Sequence, residues 1–326
     1  MSGLRPVFAT AGGPCCRLWK IETVYRRGKS CYNDGMKTKT RPKIRIRPLY
    51  AVIVLASLLL AAYAVAQHLN RQAEIENDPH YGMVEVFNGE SYVWIVPEED
   101  VPKNTLEKDD FAEDPEGNLT YVGGEYKASR GVDVSEFQGD IDWQAVYDSG
   151  VRFAVMRVGG RYYGSGELYS DDRFIENLEE ARAAGLRVGA YFFSQAISIE
   201  EAREEARYAL ELIGDRELDL PVFFDWERVV DSDARTHTLD NETLTECAVT
   251  FCEEMKAAGF GPGVYVYNDT GYHGYDLSRL QDYMLWCAGV GSYPYFYYAH
   301  TVWQYSFRGA VPGISGDCDL NMMFEK

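Results

Sequence analysis

The stretch PVFFDWERV at residues 221–229 decides both the predicted fold and the predicted chemistry. Four apolar residues lead directly into Asp225 and Glu227, which Trp226 separates. A short apolar run of this kind is typical of a buried strand. Because the side chains of a strand alternate between its two faces, the two carboxylates point the same way and the tryptophan points the opposite way. The sequence therefore predicts a buried strand that ends in a pair of acids.

Short apolar runs alternate with helical patterns from Arg130 onward. The spacing predicts helices at 171–185, 198–213 and 240–258, and Ser198 and Glu201 form an S-x-x-E capping box. Alternation of this kind favours parallel strands, and seven or eight strands within about 200 residues favour a compact α/β barrel. An open, doubly wound sheet is the alternative, although no G-x-G-x-x-G motif follows the first strand. The predicted strands are RGVDVS, RFAVMRV, RVGAYFF, LPVFFDWE, GPGVYVY, DYMLWCA and HTVWQYS.

Acidic residues follow several of these strands, at the end where a β/α barrel carries its functional groups. Asp133 ends the first strand, Asp225 and Glu227 end the fourth, and Asp319 lies in the final turn GDCDLN. Two close carboxyl groups resist double ionisation, so that the pKa of one of them rises. A protonated acid beside an ionised one is the arrangement that glycosidic bond cleavage uses. Four acids at one rim cost repulsion and desolvation, which favours a functional cluster.

A structural interpretation of the acid pair stays open on the spacing alone. In that interpretation Asp225 and Glu227 are strand-end acids that form salt bridges with Arg157 or Arg228. Aromatic residues near the strand ends favour the functional interpretation, because flat apolar rings can stack on sugar rings.

Charge is distributed unevenly along the chain. The net charge is −19 in total and +10 in residues 1–48, which leaves −29 for the rest. A domain this acidic lacks the basic footprint of a nucleic-acid-binding protein. No CxxC or histidine-rich spacing indicates a metal site, and no cofactor is expected. Cys247, Cys252, Cys287 and Cys318 are expected to be buried thiols.

An uncharged run of 18 residues, 49–66, follows the basic segment 1–48. The run is just long enough to span a membrane, and the charge asymmetry predicts the N-terminus inside and the bulk of the chain outside. We expect a single-pass membrane anchor with an extracellular barrel. Ala64-Val65-Ala66 also fits a signal-peptide cleavage site, after which the protein would be secreted. Residues 1–35 resemble an upstream extension, because Met36 begins a well-formed basic segment.

Residues 67–128 are polar and acidic, and they contain short strand-like pieces separated by turn signals. We expect a stalk followed by a small β-hairpin region, too small to be an independent catalytic unit. The catalytic barrel is expected to occupy residues 129–326.

Six segments of the barrel region follow one another along the chain: GVDVSEFQGDIDW, RVGGRYYGSG, GLRVGAYFFSQAIS, LPVFFDWE, YDLSRLQDYMLWCAG and WQYSFRGAVPGISGDCDLN. In their order and spacing they resemble glycoside hydrolase family 25, the Chalaropsis-type lysozymes, from Arg130 to Phe324. The resemblance implies an incomplete TIM-like (β/α) barrel with about five βα units and extra strands. It also implies hydrolysis of the β-1,4 bond between N-acetylmuramic acid and N-acetylglucosamine in bacterial peptidoglycan.

The resemblance also implies roles for individual residues. Glu227 matches the general acid of the D-x-E motif, and Asp225 matches the acid that stabilises positive charge at the sugar or orients its N-acetyl group. Asp133 and Asp319 would position the substrate and tune the pair. Phe192 departs from the family, because many members have histidine there. The expected substrate-binding residues are Tyr191, Tyr265, Tyr267, Trp286, Trp303 and Gln304.

The resemblance favours substrate assistance, in which the 2-acetamido oxygen of the sugar attacks and Asp225 supports the resulting ring. Spacing alone leaves a protein nucleophile and an inverting mechanism open, because same-face strand positions lie between the two carboxyl separations. Other functions also stay open. The alternatives are a chitinase-like hexosaminidase, a non-catalytic cell-wall-binding module and a membrane-tethered assembly protein whose barrel is a scaffold.

Overall fold

A computed structural model describes residues 48–231 and 233–326. Most of the predicted basic tail, with the upstream extension 1–35, lies outside the described residues. The chain divides into two compact units, Met1–Asn70 and Arg71–Lys326. The description below therefore concerns one long helix and the unit that follows it.

The apolar run lies within one long helix, α1 (Pro48–Glu76). None of its residues is buried, and an 18-residue window has a mean hydropathy of 2.4. By length and composition the helix could cross a membrane, and a signal sequence near the N-terminus would pass the same test. The helix continues past Ala66, so the expected stalk begins as helix.

Two small antiparallel hairpins follow α1. In the first, β1 (Val84–Phe87) pairs with β2 (Tyr92–Ile95). In the second, β3 (Phe111–Glu113) pairs with β4 (Leu119–Tyr121). Strands β1, β2 and β4 lie in the short strand-like pieces of the sequence, whereas β3 lies outside them.

The rest of the chain alternates strands and helices, and eight of its strands close into a barrel. The elements are β5 (Lys127–Val134), α2 (Trp143–Asp148), β6 (Val151–Arg161), β7 (Leu168–Ser170), α3 (Phe174–Ala183), β8 (Arg187–Ser194), α4 (Ile199–Ile213), β9 (Val222–Trp226), α5 (Asn241–Ala257), β10 (Pro262–Tyr267), α6 (Asn268–His273), β11 (Met284–Ala288), β12 (Val302–Gly309) and β13 (Cys318–Glu325).

The barrel strands are ordered β5-β6-β8-β9-β10-β11-β12-β13, and β13 pairs with β5 to close the ring. Neighbouring strands from β5 to β12 are parallel. In contrast, β13 is antiparallel to both β12 and β5, and β7 is a short antiparallel addition to β6. The predicted α/β barrel is therefore confirmed as a mixed fold. The alternative of an open sheet is wrong, because the first and last strands are paired.

Alternating side chains divide the core into two layers. Phe223 lies inside the barrel, with its ring centre 5.1 Å from that of Trp286. The next residue, Phe224, lies outside the barrel, with its ring centre 5.5 Å from that of Phe251 on α5. Trp226 belongs to the same outer layer. The predicted orientation of this tryptophan, away from the two acids, is therefore confirmed.

The predicted helices are present with slightly shorter bounds, and α4 shows how the ends are set. Its N-cap residue is Ser198, whose side-chain oxygen accepts a hydrogen bond from the Glu201 amide at 3.3 Å. In a capping box the Glu201 carboxylate would accept a hydrogen bond from the amide of Ser198. Here it accepts from the amide of the preceding residue, Ile197, at 3.1 Å. Gly214, with a φ of +63°, ends the helix. Local side chains and one glycine therefore define α4.

The segment between α1 and β5 packs against the barrel. The Asn104 side chain donates to the carbonyl oxygens of Pro294 at 3.1 Å and Phe296 at 3.0 Å. Leu106 joins a small core with Trp303 on the outer face of the barrel. This segment and the barrel therefore belong to one compact unit.

The four cysteines after the apolar helix are buried free thiols, as predicted. Two of them, Cys247 and Cys252, lie on α5. Burial raises the pKa of Cys247 to about 12. A thiol with so high a pKa carries little thiolate at neutral pH, so this cysteine acts as a small apolar side chain.

A buried ion pair joins β6 to α4. Arg161 Nε lies 2.7 Å from Glu205 Oε1, and the Ser194 hydroxyl donates to Glu205 Oε2 at 2.6 Å. Arg161 also donates to the carbonyl of Gly166 at 2.6 Å and to Glu204 at 2.8 Å. Burial raises the pKa of Glu205 to about 7, whereas Ser194 and Arg161 both lower it. The guanidinium therefore helps to keep this buried carboxyl charged at neutral pH.

We expect Arg161→Leu to lower the free energy of unfolding by about 3–5 kcal/mol at neutral pH, because Glu205 then remains buried without its counter-charge. Without Arg161, the folded-state pKa of Glu205 rises further above its unfolded value. The protonated carboxyl folds more favourably, so the loss grows as pH rises and is smaller in acid. Urea unfolding at acidic and neutral pH measures both effects. The control is Arg207→Leu, which removes an exposed arginine of α4 and should cost less than about 1 kcal/mol. Equal losses for the two variants would contradict the prediction.

Candidate active site

The carboxyl ends of the barrel strands surround a cavity of about 790 Å³. All four expected acids line it: Asp133 near the end of β5, Asp225 in β9, Glu227 just after β9, and Asp319 in β13. Among the described residues, no group of three or more His, Cys, Asp or Glu is arranged to hold a metal ion. The parallel strands end at the same rim, so acids from distant parts of the chain meet there.

Two side-chain amides hold Asp133. Asn321 Nδ2 donates to Asp133 Oδ2 at 2.7 Å, and Gln304 Nε2 donates to the same oxygen at 2.8 Å. Both amides are oriented by aromatic donors. The Tyr265 hydroxyl donates to Gln304 Oε1 at 2.8 Å, and Trp286 Nε1 donates to Asn321 Oδ1 at 2.8 Å. This network fixes the direction of the Asp133 carboxyl.

Asp133 and Asp319 face each other on neighbouring antiparallel strands. Gln304 Nε2 lies 3.4 Å from Asp319 Oδ2, so one amide contacts both acids. Burial raises the pKa of Asp133, and the nearby charge of Asp319 raises it further, against the two amides that lower it. Burial also raises the pKa of Asp319. The two carboxyls therefore resist ionising together.

Asp225 and Glu227 form a second pair. Asp225 is 4% exposed, and its Oδ1 has no hydrogen-bond partner among the described residues. Burial raises the pKa of Asp225, the charges of Glu227 and Asp133 raise it further, and the Arg157 guanidinium opposes the rise. The Glu227 side chain is exposed to the cavity, although protein surrounds it on most sides. Burial is the larger cause that raises the pKa of Glu227, and the charge of Asp319 is the smaller one. Both members of this pair therefore hold a proton more readily than a free carboxyl.

Arg157 is engaged with other carboxylates. Its Nε lies 2.8 Å from Asp171 Oδ2, and its Nη2 lies 3.1 Å from Glu136 Oε1. Within residues 48–231 and 233–326, no ion pair includes Asp225 or Glu227. The interpretation of these two acids as a salt-bridged strand end is therefore wrong. The arginine acts on Asp225 through its charge alone.

Comparison with known proteins places the chain in a family. Residues 132–314 match the model of glycosyl hydrolases family 25. The chain belongs to this family. Of the four acids in the cavity, Asp133, Asp225 and Glu227 lie within the matched residues, and Asp319 lies just beyond them.

Three relatives show how far the similarity extends. The autolytic lysozyme of Clostridium acetobutylicum is 27% identical over 198 residues, which are 60% of this chain and 56% of that protein. Lysozyme M1 of Streptomyces globisporus is 29% identical over 203 residues, which are 59% of this chain and 66% of that protein. The crystal structure of the bacterial lysozyme from Streptomyces coelicolor superposes with a TM-score of 0.50 and 28% identity, covering 61% of this chain and 93% of that one. The chain thus spans less than two thirds of the length of the two curated relatives.

Aromatic rings form the floor of the cavity in this protein. Trp286 contacts Tyr191 and Tyr265 edge to face, with ring centres 6.0 and 4.9 Å apart. Trp286 is 1% exposed and Tyr265 is 5% exposed, so their rings are hardly accessible to a sugar and instead orient the amides that hold Asp133. Tyr191 and Tyr267 are half-buried and line the cavity together with Gln304.

Trp303 is the expected substrate-binding residue that lies outside the cavity. Its ring packs on the outer face of the barrel, with its centre 5.5 Å from that of Phe111, and its Nε1 donates to the Gly289 carbonyl at 2.8 Å. Because Gln304 points into the barrel, the residue before it on the same strand must point out. The prediction that Trp303 binds substrate in this cavity is therefore wrong.

Several residues that line the cavity are absent from the sequence-based set. Phe137 is 79% exposed, and its ring centre lies 4.7 Å from the guanidinium carbon of Arg157. Phe307 is also exposed. Asn321 holds Asp133 from behind the cavity wall and is also absent from that set. It has a sequence signal, because it follows Asp319 by two positions and therefore points to the same side of β13. Further additions at the cavity wall include Asn88, Glu90, Gln138 and Arg228.

Phe192, the departure from the family pattern, lies outside the cavity. It is fully buried in the outer core, with ring centres of Phe251 and Tyr208 at 6.2 and 6.5 Å. Its neighbours Tyr191 and Phe193 line the cavity instead. The departure therefore affects packing between the barrel and its helices and leaves the cavity wall unchanged.

Proposed function

We propose that the protein is a peptidoglycan hydrolase that cleaves the β-1,4 bond between N-acetylmuramic acid and N-acetylglucosamine. The observation that carries this proposal is one cavity in which four carboxyl groups meet and in which Asp225 Oδ1 has no hydrogen-bond partner among the described residues. A buried polar group without a partner costs folding free energy, which indicates a functional role. Membership of family 25 and similarity to two proteins named lysozymes support the same substrate.

In the proposed mechanism Glu227 is the general acid. Its proton passes to the oxygen of the glycosidic bond while the bond from that oxygen to C1 of the muramic acid breaks. The oxygen of the sugar's own 2-acetamido group forms the new bond to C1, and the Asp225 carboxylate stabilises the positive charge of the ring that results. Water then opens this ring and returns a proton to Glu227. Asp133 and Asp319 position the sugar beside this pair.

The protonation of the pair is compatible with these roles. Both pKa values are raised, so the pair retains a proton at a pH where free carboxyls would be ionised. The retained proton belongs to the pair before substrate binds, because the two acids titrate together. Positive charge that develops beside Asp225 lowers its pKa, and a sugar that displaces water from Glu227 raises the pKa of Glu227. Substrate binding therefore moves the proton toward the residue that donates it.

The identity of the new reducing end tests the proposed bond. We expect digestion of purified peptidoglycan to leave N-acetylmuramic acid at every new reducing end, because that sugar supplies C1. Borohydride reduction followed by acid hydrolysis and sugar-alcohol analysis measures it. N-acetylglucosamine at the new ends, or equal digestion of chitin, would indicate a hexosaminidase of another specificity. Binding to peptidoglycan without any new end would indicate a wall-binding module.

The two acids should respond differently to substitution. Glu227→Gln removes the donated proton and should lower kcat on peptidoglycan by about 10²–10⁴-fold. Asp225→Asn removes the charge that stabilises the ring and should cost a similar factor. A nitrophenyl glycoside needs little protonation of its leaving group, so it should restore much of the rate of Glu227→Gln and little of that of Asp225→Asn. Glu211→Gln, an exposed acid of α4, is the control. Rescue of Asp225→Asn instead would show that the roles are reversed.

The same pair predicts the pH dependence. The active form carries one proton and one charge, so kcat/KM should fall when pH drops far enough to protonate both acids and when it rises far enough to ionise both. Both limbs should lie above the range of free carboxyls, because burial raises both pKa values. The two limbs belong to the pair rather than to either residue. In Glu227→Gln the limb on the basic side should disappear.

We also propose the arrangement of the whole chain. Helices follow β5, β6, β8, β9 and β10, which supports an incomplete TIM-like barrel of five βα units completed by β11, β12 and β13. The helix α1 would anchor this catalytic unit, residues 129–326 with the packed segment before it, on the outer side of a membrane. Its apolar length and the charges of +10 before residue 49 and −29 after residue 48 support this orientation.

Cell fractionation tests the anchor. We expect the full chain in the membrane fraction and the barrel accessible to protease added outside, because α1 is long enough to span the bilayer. A double variant, Ala64→Leu with Ala66→Leu, removes the small residues that a signal peptidase needs and keeps the run apolar. An anchored protein should not change in size or location in this variant. A wild-type chain in the medium that starts at Gln67, together with a variant retained in the membrane, would show a cleaved signal.

A further inference from the structure

The turn of the first hairpin reaches the active-site cavity. Asn88 and Glu90, between β1 and β2, line the cavity near Tyr267 and Asp269. These hairpin residues precede the part of the chain that matches the family model, which starts at residue 132. The wall that they form is therefore outside the region that defines the family.

The turn is held in one conformation from two sides. Asn88 Oδ1 accepts hydrogen bonds from the amides of Glu90 at 3.0 Å and Ser91 at 2.9 Å. Asn88 Nδ2 donates to Asp269 Oδ1 at 3.2 Å, and the Phe87 ring meets the edge of Tyr295 at 5.1 Å. A turn anchored in this way forms a fixed wall, so groups that it presents to the cavity are preorganised.

Gly89 brings the backbone of the turn against the Tyr267 side chain. Its φ of +104° lies in the region that favours glycine, and a Cβ at this position would lie 2.7 Å from the Tyr267 hydroxyl oxygen. Burial raises the pKa of Tyr267, and the Glu90 carboxylate raises it further, which agrees with their proximity. The turn, the half-buried tyrosine ring and an exposed carboxylate therefore form one continuous surface.

The chemistry of this surface suits a sugar. A tyrosine ring offers a flat apolar face with a polar edge, and a carboxylate accepts hydrogen bonds from hydroxyl groups. In the described residues the turn forms no hydrogen bond with any of the four catalytic acids, so it contributes to the wall rather than to the acid network.

We propose that Asn88, Gly89 and Glu90 bind a sugar of the glycan strand beyond the two sugars at the scissile bond. These three residues would then determine the length of glycan that the protein cleaves most efficiently. The proposal rests on the proposed function, because it assumes that a glycan strand occupies the cavity. Contacts with remote parts of a substrate can be used to stabilise the transition state, so a longer strand should react faster than a short one.

The second hairpin provides a matched control. Asp114 Oδ1 accepts from the amides of Glu116 at 3.0 Å and Asn118 at 2.7 Å, as Asn88 does in the first hairpin. Glu116, like Glu90, is exposed, and neither Asp114 nor Glu116 lines the cavity. The double variants Asn88→Ala/Glu90→Ala and Asp114→Ala/Glu116→Ala therefore remove the same kind of turn and differ in their distance from the cavity wall.

Length dependence of the rate tests the proposal. We expect the wild-type full chain in detergent to have a higher kcat/KM on an alternating glycan of eight sugars than on one of four. In the Asn88→Ala/Glu90→Ala variant the ratio of the two kcat/KM values should be about fivefold smaller, which corresponds to the loss of one or two hydrogen bonds. The Asp114→Ala/Glu116→Ala variant should keep the wild-type gain. An equal gain in the wild type and the cavity-side variant, or an equal loss in both variants, would overturn the proposal.

A binding measurement separates this proposal from the proposed function. In a Glu227→Gln background, calorimetry with the eight-sugar glycan should show a Kd about fivefold weaker after Asn88→Ala/Glu90→Ala and unchanged after the control pair. If the wild type cleaves nothing, the proposed function fails while this binding result still decides the subsite. If cleavage occurs but neither rate nor binding depends on the turn, the subsite fails alone. The single variant Glu90→Ala changes one exposed side chain and keeps Asn88, so it still tests the subsite if the double variant disrupts the turn.

Discussion

The pairing of β5 with β13 is the interaction on which the rest of the structure depends. β5 is parallel to β6 on one side and antiparallel to β13 on the other, so it joins the start of the barrel to its end. Without this pairing the sheet would have two long exposed edges. The same register places Asp133 opposite Asp319 and brings Asn321 within 2.7 Å of the Asp133 carboxyl. The backbone hydrogen bonds that close the barrel therefore also assemble half of the acid cluster.

Two buried carboxyls in this fold show how a structural acid differs from a functional one. Glu205 has the Arg161 guanidinium at 2.7 Å and the Ser194 hydroxyl at 2.6 Å, so neighbouring side chains compensate its charge. Asp225 is similarly inaccessible, but its Oδ1 has no hydrogen-bond partner in the part of the chain that the structure describes. The arginine whose charge acts on it, Arg157, is paired with Asp171 and Glu136. Among the described residues no ion pair offsets the cost of burying Asp225, and the charge of Arg157 offsets only part of it, because the pKa of Asp225 stays raised. A carboxyl of this kind is suited to a charge that develops on a bound molecule.

Local patterns in the sequence predict the elements that depend on local physics. The apolar run before Asp225, the cap at Ser198 and the glycine stop of α4 each depend on a few neighbouring residues, and the structure shows them within a few residues of their predicted positions. Trp303 also follows local physics, although its predicted place in the cavity is wrong. Adjacent residues of a strand cannot both face the barrel interior, so Trp303 and Gln304 cannot both line the cavity. The alternation that separates Asp225 from Trp226 on β9 also separates these two residues on β12.

The hairpin before the barrel is the part that local patterns could not place. The sequence near Asn88 indicates a turn, but its position depends on contacts with Asp269 and Tyr295, about two hundred residues later in the chain. The family resemblance does not place it either, because the resemblance begins at Arg130 and the match to the family model at residue 132. The cavity thus has two origins. Its acids lie on barrel strands whose ends must meet, so the fold constrains them strongly. Part of its wall comes from a segment that the barrel does not require, and such a segment can change without disturbing the acids. Differences in specificity between proteins of this fold are therefore expected to concentrate in the wall.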